Sequence, residues 1–435
     1  MTDEQPPVLL CDGRYYGTLA AARTLGREGI RVLVADSSRL APTLWSRHVS
    51  KSLRCPPAGD TDRFIEWARA TGRANNRPVI YGTSDDVLLV LALHRAQLEE
   101  SFRFYQPDLA SLVVLLDKSS LMDHARAAGL DVPETWLPKS DAEAEQVIRD
   151  QEGLLLIKPR TQCLLRAHVK GAIVRGGRRV EAHDGRGDSA HAYANFRRAN
   201  IFAPEVAARF PDWTWPMIQR YHPEAIERVY SLAGFRDRSG RHVIMRAEEK
   251  VLQQPRQLGT GLCFEAAAVD ANLAAGVRRL LENIGYFGVF EAEFIRLGDR
   301  ALLIDLNGRL YNQLAFDIAR GIPLPKLFYE GALGHDETVA AMISKIPAED
   351  PAGPRAFCNR SELAVLVGFR RLLGKMSKED LARWKVWQTA DTSEVIDAID
   401  DREDPQPRIA GIVQQLYSSM RHPRGFIRSV GFDQV

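Results

Sequence analysis

The sequence predicts a mixed α/β and α+β fold in three parts, and three observations carry that reading. Over residues 1–115 short apolar runs alternate with helical stretches, the pattern of a parallel sheet with crossover helices. Over 116–340 strand-like runs follow one another instead, the pattern of antiparallel sheets. Residues 341–435 read as a charged, helical C-terminal extension, with EDPAGP at 349–354 as a linker. The chain has 435 residues, 45% apolar and 26% charged. At about 150 residues per domain that accommodates two to three domains with packed cores and excludes whole-chain disorder.

The first part opens with VLLCDG (8–13), a continuous apolar run ending at a glycine, as a buried parallel strand does. GTLAAARTLGREG (17–29) has helical spacing, with Leu19, Ala22 and Leu25 on one face and a stop at Gly29. IRVLVAD (30–36) and VIYGTSDD (79–86) are the next strands recognised. Thr83 or Ser84 suits the N-cap of the helix that follows, with Asp85 and Asp86 in its first turn. This alternation is Rossmann-like. A dinucleotide fingerprint, however, needs three glycines for close backbone approach. Here Gly13 and Gly17 are followed by Ala20 or Ala21 at the third position, and Asp36 alone does not restore the pattern. The fold is expected without that cofactor.

The second part begins with DKSSLMDHARAAG (117–129), a capped helix closed by Gly129. VPETWLP is extended, DAEAEQVIRD helical, and LLLIKP (154–159) a strand that ends in a lysine. The polar, basic stretch 166–200 reads as a hairpin, a helix and loops. PMIQRYH (216–222), RVYSLAGF (228–235), RHVIMRAEE (241–249) and GLCFEAA (261–267) read as antiparallel strands. After the helix ANLAAGVRRLLENIG come YFGVFEAEFIRL and RALLIDLNG, paired through the turn Gly298-Asp299.

Net charge is +2, from 58 basic and 56 acidic residues, so no field of one sign is available for a nucleic-acid backbone or an anionic membrane. The basic run RHPRGFIR (421–428) reads as a solvated tail. Five dispersed cysteines without a CxxC pair argue against a disulfide framework or a zinc site and for a reducing compartment. The runs VLLVLAL and LVVLL are far shorter than the roughly 20 residues of a membrane span, so a cytoplasmic location is expected.

Chemistry concentrates in EAEFIRLGDRALLIDLNGR (291–309). Pairing its two strands brings Glu293 near Asp305, with Asn307 on the same face as Asp305 and Arg309 next in the alternation. Two carboxylates and an amide oxygen are hard donors suited to Mg²⁺ bridging phosphate oxygens, and odd ones for zinc. Arg309 suits a bidentate grip on phosphate or carboxylate. Upstream, Lys158 closes an apolar strand and Lys118 opens a helix, and a lysine is costly to bury without an anion. Lys250 and Arg256 sit where they could face a substrate. Trp213 and Trp215 read as a packed loop, and His168, His222 and His242 lack ligand spacing.

In this order these residues resemble the ATP-grasp superfamily, and more closely its predicted ATP-dependent carboligases, or carboxylate–amine ligases. The resemblance runs from about residue 8 to 335. It rests on Thr83-Ser84-Asp85, DKSSLMDHARAAGLDVPET, LLLIKP, MIQRYHPEAIE, EEKVLQQPRQLGTG and GYFGVFEAEF…LLIDLNGR. It implies a Rossmann-like pre-ATP-grasp domain (1–115) and a two-lobed ATP-grasp domain (116–340) ahead of the helical extension, whose own apolar helix faces, as in SELAVLVGFRRLLGKM (361–376), suggest docking on the lobes or on a second subunit as a homodimer. It further implies that Lys118 and Lys158 neutralise ATP phosphates, that Gln219, Arg220, Tyr221 and His222 meet the adenine, and that Glu227 holds the ribose. Glu293, Asp305 and Asn307 would carry Mg²⁺ or Mn²⁺. Arg309, with Lys158, would serve the transferred phosphoryl group. The implied activity joins a small-molecule carboxylate to an amine through an acyl phosphate. A non-amine acceptor and a non-catalytic nucleotide-binding module are the alternatives. The sequence departs from the family pattern in RTQCLLRAHVKG after Lys158, which contains only Gly171, in Gln219 for Glu, in Asp305 for Glu and in Gly308 for Pro.

Overall fold

A computed structural model describes residues 5–165, 170–177, 181–182, 191–226, 229–255, 258–350, 353–391 and 393–421. The first sheet contains β1 (Val8–Cys11), β2 (Val32–Asp36), β3 (Lys51–Arg54) and β4 (Val79–Tyr81), all parallel, in the order β3-β2-β1-β4. Every residue of β1 and β2 is buried, because both faces of the sheet are covered. Leu9, Cys11, Leu33 and Ala35 enter one apolar cluster while Val8, Leu10, Val32 and Val34 enter another. The period-two alternation is thus present but invisible as polarity. Ser84 is the N-cap of the helix Asp85–Leu93, its Oγ accepting from Val87 N at 3.2 Å, whereas Thr83 turns inward and donates to the Cys11 carbonyl.

The second sheet is antiparallel and runs β5-β9-β6-β7-β8, with β5 Thr135–Trp136, β6 Gly153–Lys158, β7 Ala172–Gly176, β8 Glu181–Ala182 and β9 Met217–Arg220. The third has seven strands: β10 (Val229–Arg236), β11 (Val243–Gln254), β12 (Thr260–Ala267), β13 (Gly288–Leu297), β14 (Arg300–Asn307), β15 (Ala356–Cys358) and β16 (Val395–Asp397), ordered β14-β13-β10-β11-β12-β15-β16. The stretch 216–222 therefore pairs in the second sheet and not with the strands that follow it. Of the basic stretch 166–200, the hairpin β7–β8 and the helix Ala192–Ala199 are seen. Positions 166–169, 178–180 and 183–190 lie outside the described residues.

The C-terminal extension differs from the purely helical expectation. The helices Asp336–Ser344, Arg360–Leu372, Lys378–Thr389 and Gln406–Arg421 form, but β15 and β16 also continue the third sheet beyond β12. Three-residue strands flanked by helices are too short for a period to register, and it is the pairing of β15 with β12 and of β16 with β15 that makes them strands. The extension is also bonded to the first part of the chain. Asp404, 1% exposed, accepts from Arg23 Nε at 2.9 Å, Ser46 Oγ at 2.7 Å and Arg47 N at 2.9 Å. Tyr16 Oη donates to Glu362 Oε1 at 2.6 Å. Among the described residues no helix is long and apolar enough to cross a membrane, and all five cysteines are free thiols.

Candidate active site

The second and third sheets face each other across a cleft of about 270 Å³. Lys118, Lys158, Gln219, Arg220, Tyr221, His222, Glu293, Asp305, Asn307 and Arg309 all line it. These residues, from four separate stretches of chain, are brought together. Glu227 and Arg256 lie outside the described residues, as does His168.

The register of β13 against β14 sets the acidic side. Glu293 lies opposite Asp305 and Glu291 opposite Asn307, so the four side chains share one face. Asp305 pairs with Lys118 Nζ at 2.5 Å and Glu293 with Lys250 Nζ at 3.3 Å. Burial works against the Asp305 charge, but Lys118, Lys158 and Arg309 outweigh it and hold the carboxyl below the ordinary range. Asn307 donates through Nδ2 to Glu291 at 3.1 Å and accepts through Oδ1 from Arg309 Nη2 at 3.1 Å. Arg309 Nε in turn donates to Asp85 Oδ1 at 2.6 Å.

Lys118 is aimed by the start of its helix. Asp117, the N-cap, accepts from Ser119 N at 3.0 Å and is gripped by Arg160 Nη2 at 2.6 Å and Trp213 Nε1 at 3.1 Å. Trp213 stacks on Phe210 with centroids 4.1 Å apart, a packed loop with a structural task. Lys158 ends β6 opposite the buried Met217 of β9. Burial, with Lys118 adding repulsion, pushes its pKa down to about 7. On β9, Gln219 is 2% exposed and donates to Thr135 Oγ1 at 2.9 Å, and Arg220 is held by Glu134 at 3.1 Å. The backbone N–H groups of Arg220 and Tyr221 are taken by Glu134 and Leu154 carbonyls. Burial lowers the His222 pKa.

Three participants were not singled out in the sequence. Glu291 obeys the same alternation as Glu293, so its spacing could have found it. Burial, with Glu293 nearby, raises its pKa. Gln313 donates its amide to Glu248 Oε1 at 2.7 Å and to Glu291, holding two buried carboxyls apart. Nothing local in the sequence marks either Gln313 or Glu248.

The donor set Glu293, Asp305 and Asn307 is all oxygen. Among the described residues no three His, Cys, Asp or Glu side chains converge on one point as a metal cage. That combination suits a hard dication that keeps water and takes oxygens from phosphate, and it suits neither zinc nor a fully protein-bound ion. Lys118 pairs with Asp305 and Lys250 with Glu293 at the same face.

Several solved structures share this fold. Biotin carboxylase from Campylobacter jejuni, in complex with beta-gamma-ATP, is 16% identical with a TM-score of 0.58, over 77% of this chain and 72% of its own. L-amino acid ligase from Bacillus licheniformis is 12% identical with a TM-score of 0.57, over 81% of this chain and 79% of its own. N5-carboxyaminoimidazole synthetase from Staphylococcus aureus, complexed with ADP, is 14% identical with a TM-score of 0.53, over 79% and 78%. No protein-family model and no curated protein matches the chain. At such identities the likeness is one of fold, and with the cleft described above it means that this chain has the ATP-grasp fold its motifs resemble.

Proposed function

We propose that this chain is an ATP-dependent ligase that phosphorylates a small carboxylate and passes the acyl group to an amine, releasing ADP and phosphate. The observation that carries the reading is the convergence of Lys118, Lys158 and Arg309 on the same cleft as Glu293, Asp305 and Asn307. Phosphoryl transfer to a carboxylate needs charge neutralisation and alignment rather than a covalent protein nucleophile, and this lining supplies both. Two fold neighbours were solved with ATP-type or ADP ligands, and a third is an amino acid ligase.

In this reading Lys118 leaves Asp305 for the phosphates, and Lys158 is protonated as it meets them. Magnesium or manganese, held by Glu293, Asp305 and Asn307, would neutralise charge between the phosphates. Arg309, locked by Asp85, presents its remaining N–H groups to the transferred phosphoryl or the acyl phosphate. The hinge Gln219–His222 receives the adenine between β6 and β12, and Glu227 the ribose. Residues 1–115 form the lead domain, 116–340 the nucleotide clamp and 341–435 the extension, with the substrates reached from the side of Asp85.

The test is release of ADP and phosphate from Mg-ATP, scanned over pairs of amino acids and small carboxylates. One pair should give ADP, phosphate and an amide in equal amounts. Stoichiometric AMP would exclude the acyl phosphate. Mg-ATP should also raise the melting temperature where NAD and NADP do not.

A further inference from the structure

The helix Gln406–Arg421 is amphipathic in the wrong sense for a monomer. It rests on the first domain through small residues. Pro407 and Ala410 are buried, and Gly411 lies against Ile399 and Pro42 of the turn Pro42–Trp45. Its large apolar side chains face away: Ile409 62% exposed, Ile412 41%, Val413 45%, Leu416 59%, Tyr417 51% and Met420 76%. The spacing i, i+3, i+4, i+7, i+8, i+11 puts all six on one stripe. Together they leave on the order of 600 Å² in water, as much as the largest patch on a typical monomer. That is also most of the about 800 Å² per partner that a standard interface buries.

We propose that this stripe is the seat of a second copy of the chain, helix against helix about a twofold axis. In such an interface residues near the axis meet their own kind, which only uncharged side chains tolerate. No charged residue interrupts the stripe. At the N-terminal end Asp400 is paired with Arg408 at 3.0 Å and Asp401 with Arg27 at 2.5 Å, which leaves Glu403, its side chain 73% exposed, as the acid facing water, and the C-terminal end carries the exposed Arg421. An antiparallel pair sets each Arg421 end toward the partner's Glu403, and a parallel pair does not. The neutral stripe also lacks the lysine-rich flank of a helix that lies on anionic lipid.

The test is sedimentation velocity of the full chain across a concentration series, from about 1 to about 100 μM. A dimer is expected, and Ile412→Glu or Leu416→Glu should weaken it at least about a hundredfold by burying a charge on the axis. Leu372→Glu, at a residue 81% exposed on another helix, should leave the mass unchanged. Because all three positions face solvent in one copy, circular dichroism and the melting profile of the dilute variants should match the parent. A parent that stays monomeric across the series overturns the proposal, and so does a dimer that persists in both stripe variants. A monomer that co-sediments with phosphatidylcholine–phosphatidylserine vesicles, and loses them in Leu416→Glu, overturns it in favour of a membrane surface.

Discussion

Arg309 Nε lies 2.6 Å from Asp85 Oδ1, so a strand end of the third sheet is held by the helix start of the first. The two residues are 224 positions apart in sequence. Burial disfavours the Arg309 charge, yet Asp85 more than compensates and raises its pKa. A cation held this firmly is oriented before any ligand arrives, which is the condition for stabilising charge at low reorganisation cost. Asp85→Asn keeps the shape but removes the charge, so Arg309 gains freedom. The expected result in steady-state kinetics is a kcat loss of about ten- to a hundredfold with the ATP KM nearly unchanged.

Gln313 separates Glu248 and Glu291, both buried. Gln313→Leu removes both donors, and each stranded acceptor costs about 1–3 kcal/mol, so unfolding in urea should show a loss of at least about 2 kcal/mol. The pH dependence has a definite sign. Burial already raises both carboxyls, and the amide bonds work against that rise. A carboxyl with a raised folded pKa stabilises fully below its unfolded pKa and loses that contribution as pH rises through the folded value. Without the amide the rise is larger, so the deficit of Gln313→Leu should be greatest near pH 8 and shrink toward pH 5.

How much of this was legible in the sequence depends on how local each signal is. The strand pair around Gly298-Asp299 and the alternation Glu293, Asp305, Asn307 follow from period two and a tight turn and are present in the structure, whereas Arg309 lies beyond the end of β14 and reaches the cleft from there. β1, β2 and β4 were legible as apolar runs, and the N-cap choice between Thr83 and Ser84 was settled only by which hydroxyl the Cys11 carbonyl claims. β15 and β16 were not legible, because three residues carry no period, and β15 pairs with β12, about ninety residues earlier, while β16 pairs only with β15. Gln313 and Glu248 were not legible for the same reason. Their meaning arises from a contact across 65 residues, which no spacing rule encodes.

Asp404 joins the C-terminal segment to the chain around the first sheet. It is caged by Arg23, Ser46 and Arg47, and these groups hold its pKa below the ordinary range against the effect of burial. Asp404→Ala removes the carboxylate from Arg23, 7% exposed, but leaves it the Ile399 and Asp404 carbonyls and Asp401 at 3.9 Å, so the loss should stay below the about 3–5 kcal/mol of a fully broken buried pair. A chain truncated at 350 loses the same contacts together with β15 and β16. Both variants should melt earlier than the parent, and Asp404→Asn less so because it retains an acceptor.

Asp305→Asn tests the carboxylate side of the cleft. It removes one anion while nearly preserving volume, and Lys118 loses its partner at 2.5 Å. A hard dication between phosphates needs anionic oxygens, so turnover should fall at least about a hundredfold and half-saturating Mg²⁺ should rise. Folding should lose some stability, because Lys118, Lys158 and Arg309 stabilise the Asp305 charge and face one another once it is gone. Normal turnover at low Mg²⁺ would show that Asp305 is no ligand.

Lys158 supplies the last prediction, through its proton. Its pKa of about 7, against 10.5 for an ordinary lysine, leaves it mostly neutral at pH 8 in the free protein. The sign follows from linkage: between these two values the unfolded chain binds the extra proton. The penalty that Lys158 places on the fold is therefore full below about pH 7 and fades as pH rises toward 10.5. A polyphosphate in the cleft reverses the balance by favouring the ammonium form. ATP binding at pH 8 should then take up a large fraction of one proton, and binding at pH 6 nearly none. Calorimetry in two buffers of different ionisation enthalpy measures this uptake directly. In Lys158→Met the pH 8 uptake should vanish and affinity should fall by at least about tenfold, as expected for a lost charge-assisted contact. Equal uptake in parent and variant would place the titrating group elsewhere and remove Lys158 from the phosphate site.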